Sequence, residues 1–119
     1  MLVKEIDSRE LSDWLASDNP PRLIDVRTPQ EMMQAAINKA EPMPLTVLPL
    51  RVNDVPQDED VVFYCRTGNR SWQACMFMMQ KGYQRVFNLK GGIVTWAQMG
   101  LPVEPMNLNE TADVLQKQI

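Results

Sequence analysis

Cys65 is followed by Arg66, Thr67, Gly68, Asn69, Arg70 and Ser71, and this run holds the residue types and spacing that could do chemistry. A thiol is a nucleophile only as its thiolate, so the neighbours of Cys65 matter through their effect on its pKa. The run joins an apolar segment, Val61-Val62-Phe63-Tyr64, to a helix-forming one, which lets successive backbone N–H groups curl around the sulfur with a helix N-terminus aimed at it. Gly68 supplies the positive φ that such a cradle needs. Arg66 and Arg70 bring two permanent positive charges that favour any anion bound there. A cysteine at a strand end is more often just a small buried hydrophobe. A glycine and two arginines in the same loop reverse that expectation and point to a thiolate held inside an anion cradle.

The composition narrows the mechanism. The chain has 119 residues, a net charge of -3, two cysteines and no histidine. Without imidazole there is no Cys-His or Ser-His catalysis, no histidine-ligated metal and no histidine pH switch. Two thiols fall short of the four ligands of a structural zinc site, so neither a metal nor a cofactor is expected. The net acidity argues against a nucleic-acid surface. No apolar run approaches the ~18 residues of a membrane span, and the opening Met1-Leu2-Val3-Lys4-Glu5-Ile6-Asp7 lacks the flank and apolar stretch of a signal peptide. Two cysteines with no such signal suggest a reducing compartment, hence a cytoplasmic protein.

The elements that must position Cys65 follow from periodicity and caps. Leu2 to Ile6 alternates like a half-exposed edge strand. Asp7 and Glu10 form a capping box ahead of Leu11, Trp14 and Leu15 at helical spacing, and Asn19-Pro20-Pro21 ends that helix. Leu23-Ile24-Asp25-Val26 reads as a buried strand with one carboxylate, and Thr28-Pro29-Gln30-Glu31 opens a second helix with cap, N1 proline and N3 glutamate in place. Between Ala40 and Pro56, four prolines leave room only for a short strand near Met43 and a broken helix around Leu45 to Arg51. Val61 to Tyr64 predicts a central strand covered on both faces. A helix then runs to Gly82, followed by a strand at Arg85 to Leu89, a Gly91-Gly92 turn and a short helix with Ile93, Trp96 and Ala97. This alternation predicts an α/β fold in three layers, α/β/α, with a mainly parallel sheet and a site at the carboxyl ends of its strands. Residues 1–103 are expected to form one domain, and 104–119 a tail or loosely docked helix.

Taken together, Leu23 to Glu31, Val61 to Ser71, Gly82-Tyr83, Val86 to Ile93 with Trp96, and Gly100-Leu101-Pro102-Val103 resemble, in order and spacing, the rhodanese-like sulfurtransferases. The resemblance covers roughly residues 3–103 and implies a five-stranded parallel sheet and a Cys65 that alternates between thiolate and persulfide. It further implies that sulfane sulfur passes from an anionic donor such as thiosulfate to a thiophilic acceptor: cyanide, a small cellular thiol or a thioredoxin-like protein. A preformed thiolate needs no general base, and the main-chain N–H groups of Arg66 to Ser71 could hold the persulfide. In the related phosphatase and arsenate-reducing branch the loop is one residue longer. Here four residues separate Cys65 from Arg70, which matches the sulfurtransferase loop. The alternative is a sulfur-relay or binding module of the same fold with little small-molecule turnover.

Other residues divide between support and chemistry. Asp25 and Arg27 match the family's Asp-x-Arg element and are expected to tie loops together. Arg70 is the better candidate for anion contact, and Arg66 for solvent or a docking partner. Cys75 lies ten residues beyond Cys65, about 15 Å along a helix, and with the methionines reads as core packing. Trp72 fits either the mouth of the site or the sheet. Where many relatives carry Gly-His-Ile and then Pro-Gly-Ala, this chain has Ala35-Ala36-Ile37 and Asn38-Lys39-Ala40, a departure that bears on a local turn.

Overall fold

The strand that leads into Cys65, β5 (Val61–Tyr64), lies at the centre of a sheet and is buried along its whole length. The computed structural model describes residues 2–108. β5 is flanked by β6 (Val86–Leu89) and β2 (Arg22–Asp25); β1 (Lys4–Ile6) lies outside β6, and β4 (Glu41–Pro42) outside β2. All four pairings are parallel, as the alternating strand and helix pattern predicts.

The two-residue period of β5 sorts its side chains between two layers. Val61, Phe63 and the following Cys65 enter a cluster with Ala74, Cys75 and Met78 of α3 (Asn69–Gln80). Val62 and Tyr64 point the other way, to Leu11 of α1 (Ser8–Leu15) and to Ile93 and Trp96 of α4 (Gly92–Gln98). Helices therefore cover both faces, and the architecture is the expected α/β/α sandwich with a five-stranded sheet.

The caps behave as their residues dictate. Asp7 accepts from the Glu10 N–H at 2.8 Å and Thr28 from the Glu31 N–H at 3.3 Å, each with the reciprocal glutamate bond that completes a capping box, at the starts of α1 and α2 (Pro29–Gln34). Gly82, just past α3, takes φ +96°. In the proline-rich stretch the strand is Glu41–Pro42 and stops short of Met43, and the broken helix is two 3-10 turns, Leu48–Leu50 and Val52–Asp54.

Periodicity gave no hint of one feature. β3 (Ala36–Ile37) pairs antiparallel with β7 (Val103–Glu104), and the Met106 N–H donates to the Met32 carbonyl at 3.0 Å. β7 and this bond lie across the expected boundary at 103, and most of the segment 104–119, expected as a tail or loosely docked helix, lies outside the described residues. The turn that follows β3, where the sequence departs from the family pattern, is closed by a backbone hydrogen bond. Ala36 is buried and extended, the Ala40 N–H closes the turn on the Ile37 carbonyl at 3.2 Å, and Lys39 takes the left-handed φ of +72° that a glycine would hold without strain. Among the described residues no helix is long and apolar enough to cross a membrane.

Candidate functional site

Cys65 sits just beyond the carboxyl end of β5, and the chain from there to Ser71 folds back around its sulfur. The Gly68 N–H donates to Sγ at 3.1 Å and the Ser71 hydroxyl at 3.3 Å. Gly68 reaches this position with φ +112°, in the region where a side chain is strained. Burial works against the charged form of Cys65. Hydrogen bonds from the Ser71 hydroxyl, and then from the backbone of Ser71, Gly68 and Thr67, outweigh it and bring the thiol below its ordinary pKa. Thr67, Gly68 and Ser71 are therefore the expected loop residues that the structure places on the sulfur. Asn69 opens α3, exposed to solvent.

The loop is gripped from behind by α4. The N–H groups of Ile93 and Val94 donate to the carbonyls of Cys65 and Arg66 at 3.0 and 3.1 Å. Gly92 allows this approach: a Cβ there would lie 2.3 Å from the Arg66 carbonyl oxygen and 2.6 Å from that of Cys65. A third tether comes from Asn88 of β6, whose Nδ2 donates to the Gly68 carbonyl at 3.1 Å and to Glu5 at 3.0 Å. Sequence reasoning missed Asn88. The available signal was a lone amide in an otherwise apolar strand, because a buried polar side chain must find partners.

The two loop arginines have different fates. Arg66 is exposed and its guanidinium has no partner among the described residues. Arg70 is half-buried and forms a two-pronged pair with Glu31 of α2, Nη1 to Oε1 at 2.7 Å and Nη2 to Oε2 at 2.9 Å. The same Glu31 closes the capping box of its own helix, and these bonds, led by the one from Arg70, hold its carboxyl down to about pKa 2. Glu31 was foreseen as a cap but not as a partner of the loop. Nothing in the sequence marks a pairing across 39 positions.

Asp25 and Arg27 form a separate, buried knot. Arg27 donates to Asp25 from its backbone at 2.9 Å and from Nη2 at 2.7 Å, and reaches the Ala35 carbonyl at 2.6 Å, while its guanidinium lies 5.6 Å from the Tyr64 ring centre. The Tyr64 hydroxyl accepts from the Ile37 N–H at 3.0 Å. This cluster ties β2, the end of α2 and β3 together, the loop-binding role expected of it. Cys75 is wholly buried in the α3 face, and Trp72 stands 45% exposed on the first turn of α3, on the solvent side and not against the sheet.

Residues 7–99 match the rhodanese-like domain family. The chain is 50% identical over 102 residues to a sulfurtransferase of Allochromatium vinosum, covering 86% of this chain and 95% of that one. Among solved structures, it is similar to a Staphylococcus saprophyticus protein at 29% identity and TM-score 0.76, covering 84% of this chain and 99% of that one. It is also similar to a rhodanese-like domain protein of Staphylococcus aureus at 28% identity and TM-score 0.75, covering 79% and 91% respectively.

Proposed function

The chain belongs to the rhodanese-like domain family, with a sulfurtransferase among its relatives, and we propose that it moves sulfane sulfur through a persulfide on Cys65. The observation that carries this reading is the sulfur at the focus of the Gly68 N–H and the Ser71 hydroxyl, with its pKa lowered although it is only 1% exposed. In the first half-reaction the Cys65 thiolate forms a bond to the outer sulfur of the donor. The donor's own S–S bond breaks, and its electron pair leaves on sulfite when the donor is thiosulfate, or on a thiolate when it is a hydropersulfide. In the second, an acceptor thiolate or cyanide takes the outer sulfur and the electron pair returns to Cys65. The persulfide anion carries its charge one atom further out, and the backbone N–H groups of Thr67, Gly68 and Ser71 that already face Sγ would stabilise it. Neither half-reaction needs a general base, which suits a chain with no histidine.

The physiological acceptor belongs to the same proposal: a small thiol or a thioredoxin-like protein in a reducing compartment such as the cytoplasm. Both cysteines are free in the structure. Exposed Arg66 and Trp72 beside the loop favour a second reading, a relay that meets a protein partner and turns over small molecules slowly. Intact-mass measurement after incubation with thiosulfate tests the first reading: wild type should gain one sulfur and Cys65→Ala none. Wild type that gains no sulfur from any donor would sink it. Persulfide formation with negligible cyanide turnover, together with a protein complex lost on Arg66→Ala, would favour the relay.

A further inference from the structure

The pairing of Arg70 with Glu31 bears on which donor the loop accepts. Arg70 follows Asn69 in the first turn of α3, near enough to Cys65 for each charge to be felt by the other. Left alone, its guanidinium would be a full positive charge beside the Cys65 loop, suited to an oxyanion. Here both carboxylate oxygens of Glu31 lie against it at 2.7 and 2.9 Å, and the Glu31 carboxyl stays ionised at any pH where a thiolate exists. The charge that Arg70 offers an incoming anion is compensated before the anion arrives. Arg66, on the exposed side of the loop, is left as its unpaired cation among the described residues.

Resting on the sulfurtransferase reading, we infer that Glu31 is a specificity-determining residue. By masking Arg70 it sets the site against doubly charged donors such as thiosulfate and toward donors that bring a single negative charge on sulfur, the hydropersulfides. Thiosulfate brings two charges to a site where the Cys65 thiolate and the Glu31 carboxylate of α2 already offset the charges of Arg66 and Arg70, on a protein of net charge -3. A hydropersulfide brings one, on the atom that is transferred. The backbone cradle serves both donors equally, so the difference between them rests on the side-chain charges. Glu31 acts through Arg70 and is a positioning residue, not a catalytic one.

The test is Glu31→Gln, which keeps an acceptor oxygen for the capping box while removing the charge. Sulfur loading of Cys65 is followed by intact mass and by steady-state kinetics with two donors, thiosulfate and cysteine hydropersulfide. The thiosulfate KM should fall about 5-fold with kcat little changed, and the hydropersulfide KM should move by less than about 2-fold. In an Arg70→Gln background the same substitution should lose most of its effect on thiosulfate. A general loosening of α2 would move both donors alike and would survive in that background. Loading of wild type with an unchanged donor ratio in Glu31→Gln, or a gain that persists without Arg70, overturns the role of Glu31 alone. No loading of wild type Cys65 by either donor overturns the sulfurtransferase reading and this inference together.

Discussion

The two cysteines of this chain occupy the same apolar cluster, at 1% and 0% exposure, and their thiols are shifted in opposite directions. Burial pushes Cys75 up to about 12, with a small further push from Glu5. The same penalty acts on Cys65, where the Ser71 hydroxyl and three backbone groups more than offset it. Depth in the core therefore does not decide reactivity; the donors facing the sulfur do. Cys75 points from the middle of α3, where each backbone N–H is committed to a carbonyl one turn earlier. Cys65 precedes the helix, where the first N–H groups have no such partner.

The comparison can be broken most sharply by exchanging the two thiols for alanine. Cys65→Ala should lose sulfur uptake altogether and Cys75→Ala should keep it, as read by intact mass after donor treatment; equal loss in both would end the distinction. Next in size is chemical selectivity. At pH 7 iodoacetamide should modify Cys65 at least ~10³-fold faster than Cys75, because a thiol near pKa 12 is almost wholly protonated there. Peptide mapping of briefly labelled protein reads the ratio.

A smaller effect sharpens the cause. Ser71→Ala removes the largest of the interactions that lower the Cys65 pKa. The thiolate is the reacting form, so losing a donor moves the acid limb of the rate profile to higher pH. Sulfur uptake below that limb should then slow about tenfold and recover at alkaline pH. A loss independent of pH would mean that Ser71 shapes the loop instead. Smaller again are the stability costs: Cys75→Ala should lose about 1–2 kcal/mol from the cavity left in the α3 face, measured by denaturant unfolding. Ser71→Ala should cost less than that, since its hydroxyl serves one bond to sulfur.

What could be read from the sequence was whatever depends on neighbours. The two capping boxes, Gly82 beyond α3, Gly68 in the loop and the β5 strand each follow from a few adjacent residues, and together they fix the α/β/α order and place Cys65 at a strand end. The Ser71 backbone was foreseen on the sulfur, but its hydroxyl was not, because a rotamer is settled by packing. Pairings between distant elements left no trace: Glu31 with Arg70, Asn88 with the Gly68 carbonyl, and β3 with β7, whose two-residue strands are too short to carry a period. Arg70 illustrates the gap. Its place in the loop was legible and its partner was not, and the partner determines what its charge is available for.

The bonds from α4 to the loop carry one more consequence. A peptide unit is planar, so a carbonyl held on one side turns the next N–H to the other. Ile93 and Val94 hold the carbonyls of Cys65 and Arg66, and thereby fix the N–H groups of Arg66 and Thr67 on the opposite side, Thr67 toward the sulfur. In the proposed transfer, charge moves outward from Cys65 to a newly bound sulfur atom; water would have to reorient around it, whereas these N–H groups are already fixed. The reorganisation that a thiol in solution undergoes at every such transfer would be completed here once, when the chain folds.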